Sequence, residues 1–240
     1  MRASVEAVLL RGTAGNNLLP VAPELQEVMA APQWQGAITS TAGEGALLHP
    51  HRFPHFNRPG TPPGGWHKDS YWGYHRKIRN HRPWWVMIMY YPQAVNAENG
   101  PTAVLAGRQH LRSRAAEDMA GEVQVTGEAG TFFMIHYDLW HRASANSSEL
   151  KRFMLKFEFI RLARPTAPAW DCQDRTWHEP ATDGIAYPQR LQWRFAWDWC
   201  AGNAAGTSLP NDASIKVGET LARLGHADPL VRLAAANDLG

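Results

Sequence analysis

The sequence has few cysteines, little net charge and no long apolar run, and each of these shortages excludes a class of protein. Cys172 and Cys200 are the only cysteines among 240 residues. Two are too few for a disulfide framework, so we expect reduced thiols. A formal net charge of +2 does not indicate a nucleic-acid partner. No apolar stretch approaches the roughly 20 residues that span a bilayer, and the N-terminal residues lack a signal-peptide pattern. We therefore expect a cytoplasmic protein without membrane contact.

What is present is the composition of a globular domain with many aromatic residues. Hydrophobic residues make up 44% of the chain and charged residues 19%, which is typical of a folded protein and not of a disordered one. The 11 tryptophans are many for this length and indicate an aromatic-lined site. A chain of 240 residues is long enough to bury one large core.

Short strands separated by glycine, proline and asparagine turns predict a mainly β fold, a barrel or jelly roll. Residues 84–91 are apolar on both faces, which predicts a central strand. Residues 152–162 alternate between Phe and charged side chains, which predicts a half-buried antiparallel strand. Residues 54–65 and 164–210 are expected to be loops. The other predicted elements are strands at 47–53, 102–105, 123–125 and 131–135, and helices at 23–30 and 111–119.

The C-terminal residues change character. Residues 214–224 and 229–239 each predict an amphipathic helix, and the second resembles a helix of a HEAT-like repeat. One such repeat cannot bury its own apolar face. We expect a β domain over residues 1–210 and a helical hairpin over residues 211–240. The hairpin either packs on the barrel or, as we favour, begins a repeat region of a longer protein that binds a protein partner.

His67 and Asp69 carry the first chemical signal. Residues two apart on a strand point to one face, so an imidazole and a carboxylate project together. A second histidine, for which His141 is the best candidate, completes a facial triad that suits a non-haem Fe(II) oxygenase. His136 and Asp138 form a competing pair, to which we assign a structural role, and His110 is expected to be a packing histidine.

Arg152 follows His141 by eleven residues. It begins the alternating strand on the face without Phe, so it can point at the metal cavity. A guanidinium offers two parallel hydrogen bonds to a carboxylate and stays charged when buried. Arg152 is therefore a candidate partner for the far carboxylate of a dicarboxylate cosubstrate that chelates the metal.

At this point residues 66–161 resemble the phytanoyl-CoA dioxygenase family of Fe(II)- and 2-oxoglutarate-dependent oxygenases. The motifs in order are Trp66-His67-Lys68-Asp69, Glu98-Asn99-Gly100-Pro101-Thr102, Gly107 to His110, Gly130-Thr131-Phe132-Phe133, Leu139 to Asn146, and Arg152. The resemblance implies a double-stranded β-helix (jelly roll, cupin-like) with flanking helices. It implies iron on His67, Asp69 and His141, 2-oxoglutarate on Arg152, and Trp85 as an aromatic wall of the cosubstrate pocket.

The implied reaction is hydroxylation of a small molecule with O2, releasing succinate and CO2. The family often places a hydroxyl residue two positions after the second histidine; here Ala143 stands there, and Ser144 is the candidate substitute. Arg52 is either a second cosubstrate-binding residue or a surface residue.

The basic and aromatic residues 70–82 are either a solvated loop or a lid that binds substrate through Tyr71, Trp72 and Arg82. Two rival interpretations stay open. One is a cupin-like metal enzyme that does not use 2-oxoglutarate, and the other is a non-catalytic barrel that acts as a binding scaffold.

Overall fold

Two antiparallel sheets with flanking helices form the core of the protein. The computed structural model describes residues 7, 15–69, 82–111, 114, 121–181, 189–203, 217–229, 231–232 and 235–236. The helices are α1 (Leu18–Val21), α2 (Leu25–Ala30), α3 (Pro32–Ala42), α4 (Arg190–Cys200) and α5 (Val217–Arg223). The strands are β1 (Leu47–Asn57), β2 (Trp85–Tyr90), β3 (Thr102–Leu105), β4 (Glu122–Val125), β5 (Phe132–His136), β6 (His141–Ala143) and β7 (Arg152–Ile160).

The strand order places sequence-distant strands side by side. The larger sheet has the order β1-β7-β2-β5 and the smaller sheet the order β4-β3-β6. All the pairings between these strands are antiparallel. As predicted, β2 is a central strand, because β7 and β5 lie on its two sides.

The larger sheet separates two apolar clusters. On its outer face the helices pack through Leu25 and the stripe Trp34, Ile38 and Ala42, which repeats every fourth residue and lies on one side of α3. On its inner face, side chains of β2 such as Met87 meet those of the smaller sheet in a second cluster. Alternation along β2 sends successive side chains to opposite clusters, which explains why the whole strand is apolar.

The structure corrects the expected burial of β7. We predicted a half-buried strand, but the first eight of its nine residues are buried. Phe153 and Phe157 pack in the outer cluster, while Arg152, Lys156 and Glu158 lie on the inner face and are buried as well. Charged residues on one face of a strand normally predict that this face is exposed to solvent. On β7 they face a polar interior instead.

The structure also corrects the predicted end of β1. The strand continues through Pro54 to Asn57, which we had assigned to a loop. Proline is tolerated here because β1 is the edge strand of its sheet. The extension brings His55 and Asn57 opposite Met154 and Arg152 of β7.

Residues 164–210 were expected to form loops only, and this prediction is wrong where α4 forms. Trp199 of α4 lies against Trp84, with ring centroids 4.9 Å apart. Most of the predicted helix at 111–119 and parts of the C-terminal helices lie outside the described residues. Within the described ranges, no helix has the length and apolarity of a membrane span.

Candidate active site

A short backbone ladder brings His67 beside His141. The two residues exchange hydrogen bonds, with N–O distances of 3.0 and 3.1 Å, and Gly64 donates to the carbonyl of Ala143 at 2.9 Å. The segment that carries His67 therefore runs along β6 at the edge of the smaller sheet. Backbone pairing places the two imidazoles 4.4 Å apart between ring centroids.

Both rings are oriented by carbonyl groups of their own chain segments. Nδ1 of His67 lies 2.9 Å from the carbonyl oxygen of Gly65, and Nδ1 of His141 lies 2.9 Å from that of Leu139. A proton on Nδ1 makes these contacts favourable, which leaves Nε2 as the nitrogen that would bind a metal. Carbonyl acceptors behind the ligand histidines are a usual arrangement in metal sites.

The two Nε2 atoms converge on the carboxylate of Asp69. Oδ1 lies 3.9 Å from Nε2 of His67, and Oδ2 lies 3.6 Å from Nε2 of His141. All three donor groups lie within 4.8 Å of one another. Two imidazoles and one carboxylate on one side of a metal leave the opposite positions open, which is the donor set that non-haem Fe(II) enzymes use. The residues present therefore fit an iron ion.

The competing pair does not join a donor group of this kind. Nδ1 of His136 accepts a hydrogen bond from the backbone N–H of Asp138 at 3.0 Å, which stabilises the turn between β5 and β6. The ring of His136 packs against His110 at 5.8 Å. Across the described part of the chain, His67, Asp69 and His141 are the only group of three that meets the geometry of a metal site.

Asp69 is held as a carboxylate by its neighbours. Burial by itself would raise its pKa, but the imidazole of His141 and the ammonium of Lys156 outweigh burial and hold the pKa of Asp69 below its usual range. The Nζ atom of Lys156 donates to Oδ2 at 2.9 Å. An ionised carboxylate is the form that binds a divalent cation.

A cavity of about 330 Å³ connects the triad with Arg152. The residues that line it come from both sheets and from the loop before His67. They are His55, Phe56, Asn57, Thr61, Pro62, Gly64, Gly65, His67, Asp69, Met89, Thr102, His141, Arg142, Ala143, Arg152, Met154 and Lys156. An anion that reached the metal centre would thus have a buried guanidinium in the same cavity.

Arg152 is anchored by one nitrogen. Its side chain is almost fully buried, and Nε donates to the carbonyl of Gly100 at 2.7 Å. Gly100 has φ +75°, and a Cβ there would fall 2.2 Å from Nδ2 of Asn57, so this position needs glycine. Within the described residues the terminal nitrogens of Arg152 have no hydrogen-bond partner, and both remain available for a carboxylate.

None of the other predicted site residues that the structure describes lines this cavity. Ser144 is buried, but its neighbour Ala143 lines the cavity in its place. Trp85 lies opposite Ile160, at the other end of β7 from Arg152, with its ring beside His49. Arg82 is exposed. Arg52 lies opposite Phe157 and is absent from the lining. Tyr71 and Trp72 lie outside the described residues.

Sequence reasoning missed several of the cavity residues, among them His55, Asn57 and Lys156. His55 and Asn57 were hidden because Pro54 made the end of β1 read as a loop. Lys156 stood on the same face as Arg152 in the alternating pattern of β7, so the signal was present, but it was interpreted as the solvent side. His55 is of interest because its Nε2 atom is buried without a partner among the described residues.

His55 should make the folded state sensitive to acid. Burial, and next the charges of Lys156 and Arg152, lower the pKa of His55 to about 3. An unfolded histidine titrates near 6.5, so the unfolded chain binds the extra proton between these values. The stabilising contribution is therefore complete above pH 6.5 and is lost as the pH falls toward 3. When the pH is lowered from 7 to 5, the free energy of unfolding of the unmutated chain should fall by about 2 kcal/mol more than that of His55→Phe.

Urea unfolding followed by tryptophan fluorescence at pH 7 and pH 5 measures this difference. The matched control is His178→Gln, because the ring of His178 is 74% exposed. An equal loss of stability in His55→Phe and the unmutated chain would show that His55 is not held neutral by the fold.

Known proteins resemble this chain in sequence and in fold. The family model for phytanoyl-CoA dioxygenase (PhyH) matches residues 7–154, a range that holds the triad and Arg152. The chain belongs to this family. PhyH proteins are oxygenases of the non-haem iron and 2-oxoglutarate type, and the His-Asp-His group found here fits both cofactors. A comparison with curated protein sequences gives no significant match.

Several solved structures resemble the chain at low identity. The apo form of the non-haem monooxygenase ThoJ is 16% identical with a TM-score of 0.54, over 69% of this chain and 70% of that one. EctD from S. alaskensis, solved with 2-oxoglutarate and 5-hydroxyectoine, is 18% identical with a TM-score of 0.48, over 66% and 62%. EvdMO1 is 18% identical with a TM-score of 0.46, over 57% and 33%. The chain spans less than two thirds of the EctD and EvdMO1 chains, and the likeness to ThoJ supports the fold alone.

Proposed function

We propose that the protein is an Fe(II)- and 2-oxoglutarate-dependent dioxygenase that hydroxylates a small molecule and releases succinate and CO2. The observation that carries this proposal is that a triad of two imidazoles and one carboxylate shares one cavity with a buried, half-satisfied arginine. The triad alone would suit several metal enzymes. The arginine is what a dicarboxylate cosubstrate requires.

Iron with bound 2-oxoglutarate would supply the oxidation: O2 is split, one oxygen atom enters succinate and the other enters the substrate as a hydroxyl group. The protein's own part is to bind and orient. His67, Asp69 and His141 would hold the metal through Nε2, one carboxylate oxygen and Nε2. Arg152 would bind the far carboxylate through its terminal nitrogens. Since these donors suffice, no side chain is needed as a nucleophile or general base.

His55 is the additional cosubstrate contact that we propose. It lies opposite Met154, two residues from Arg152 along β7, and lines the same cavity. A neutral imidazole has one N–H to donate, and the low pKa of His55 keeps the ring neutral. It would therefore supply a hydrogen-bond donor to the cosubstrate in place of the hydroxyl group that this chain lacks at Ala143.

We infer that the two sheets form a double-stranded β-helix. The strand orders β1-β7-β2-β5 and β4-β3-β6, with the His67 segment paired to β6, support this architecture. The division into a domain over residues 1–210 and a C-terminal hairpin over residues 211–240 remains our proposal, as does a protein partner for that hairpin. Helix α5, which lies within the first of the two predicted helices, supports the hairpin.

The substrate is expected to be a small molecule bound near the metal. Residues 70–82 follow Asp69 directly, which supports a place for this segment at the mouth of the site. Tyr71, Trp72 and Arg82 stay candidate substrate contacts on the sequence pattern alone.

Turnover of the cosubstrate tests the proposed function. The purified chain is incubated with Fe(II), 2-oxoglutarate and O2, with and without a panel of small molecules, and succinate is measured. We expect succinate that requires all three additions and is lost in Asp69→Asn, which keeps the shape of the side chain and removes its charge. Iron binding without consumption of 2-oxoglutarate would favour the cupin-like enzyme. No metal binding at all would favour the scaffold.

A further inference from the structure

Lys156 occupies an unusual place for a cation. It lies on the inner face of β7, opposite Phe53 of β1 and Met89 of β2, and its side chain is 6% exposed. The ammonium reaches two carboxylates: Oδ2 of Asp69 at 2.9 Å and Oε1 of Glu158 at 3.5 Å. Lys156 lies two residues beyond the range that the family model matches.

A buried lysine beside a metal site needs a reason. Burial of an ammonium costs free energy, and a cation next to a divalent ion repels it. Charge neutralisation does not explain Lys156, because a metal ion would itself neutralise Asp69. A metal ion does not by itself distinguish the two carboxylate oxygens of Asp69. A directed N–H···O hydrogen bond to one of them does.

The contacts divide the two oxygens of Asp69 between two tasks. Oδ2 accepts the short, charge-assisted bond from Lys156. Both oxygens face a histidine, since Oδ1 lies 3.9 Å from Nε2 of His67 and Oδ2 lies 3.6 Å from Nε2 of His141, but the hydrogen bond of the ammonium goes to Oδ2. Glu158, which is fully buried, lies within 3.5 Å of the ammonium through Oε1. It compensates the charge of Lys156 and holds the ammonium beside Oδ2.

We propose that Lys156 is a positioning residue that keeps Asp69 a one-oxygen ligand. With Oδ2 held by the ammonium, Asp69 would offer a metal one oxygen, Oδ1. The two histidines would offer one nitrogen each, so these three residues would leave room on a six-coordinate metal for a chelating keto acid and O2. This inference rests on the proposed function, since the number of open positions matters only if a chelating cosubstrate binds.

The experiment uses Co(II) as a redox-stable probe, because its visible absorption spectrum reports the number and type of ligands. Co(II) is titrated into the unmutated chain, Lys156→Met and Lys156→Arg, and 2-oxoglutarate is then added to each. Lys156→Met is expected to bind Co(II) within about tenfold of the unmutated affinity but with a changed spectrum. Its affinity for 2-oxoglutarate is expected to fall at least tenfold, since a two-oxygen Asp69 takes one open position. Lys156→Arg keeps a charged donor and should restore both.

Glu158→Gln combined with Lys156→Met provides a second test if the single variant folds poorly. It removes both charges of the buried pair and should give the same changed Co(II) spectrum as Lys156→Met. The inference would be overturned if Lys156→Met folds and has the same Co(II) spectrum and the same affinity for 2-oxoglutarate as the unmutated chain. If the unmutated Co(II) protein does not respond to 2-oxoglutarate, the proposed function fails instead. The Co(II) spectrum before addition still decides the role of Lys156.

Discussion

Replacing His67 by alanine is expected to lower the affinity for Fe(II) by roughly 100-fold or more, equivalent to about 2.7 kcal/mol. The loss follows because His67 offers one of only three donors, and its Nε2 lies within reach of Asp69. The fold should be preserved, because the side chain of His67 is 53% exposed and its backbone ladder to His141 does not depend on the ring. Anaerobic titration calorimetry with Fe(II) measures the affinity, and thermal unfolding checks the fold.

His178→Ala is the matched control for this experiment. Its ring is also exposed and pairs with Asp174, far from the triad along the chain. It should bind Fe(II) with unmutated affinity. If His67→Ala binds Fe(II) as tightly as this control, then His67 is not a ligand, and a metal site would have to be sought elsewhere.

Replacing Arg152 by methionine is expected to lower the affinity for 2-oxoglutarate by about 100-fold while Fe(II) affinity stays within threefold. The two terminal nitrogens would otherwise donate two charge-assisted hydrogen bonds, each contributing about 1.5–3 kcal/mol. Methionine occupies a similar volume, so the packing around a residue that is 1% exposed should survive. Calorimetry with 2-oxoglutarate on the Fe(II)-loaded, oxygen-free protein measures the effect.

Arg161→Met controls for the removal of a buried arginine. Arg161 directly follows β7, is 6% exposed, and donates to the carbonyl of Thr41, away from the cavity. It should lower stability without changing 2-oxoglutarate affinity. If both variants lose affinity for 2-oxoglutarate equally, the loss reflects a general effect on the sheet. If both keep the unmutated affinity, Arg152 does not bind the cosubstrate.

The strands could be predicted where apolar residues form short runs bounded by turns. β2, β3 and β5 were found within one residue of their observed ends for this reason. The predicted β1 ended too early because proline, here Pro54, normally breaks a strand. Proline is tolerated because β1 is an edge strand, and that position depends on the tertiary structure. α4 was missed because its three tryptophans, Trp193, Trp197 and Trp199, lie in a segment rich in Trp, Asp and Pro that was assigned to loops as a whole.

The sequence predicted which residues form the site, but not the contacts and the burial of the side chains around them. The spacing of His67 and Asp69 put both side chains on one face, and the eleven-residue step to Arg152 matched a known pattern. Nothing in the spacing indicates that Lys156 donates to Asp69, because that contact joins residues 87 positions apart. Burial explains the remaining error: the charged residues on β7 face the interior between the two sheets, and their burial depends on residues far away in the sequence.

The claim that His67, Asp69, His141 and Arg152 form one iron and 2-oxoglutarate site is tested most directly by a titration without oxygen. Fe(II) and then 2-oxoglutarate are added to the purified chain, and the visible charge-transfer band of the iron chelate is recorded. We predict that the band appears in the unmutated chain and is absent in His67→Ala and in Arg152→Met at the same concentrations. Iron binding without the band, or a band that persists in both variants, would contradict the account.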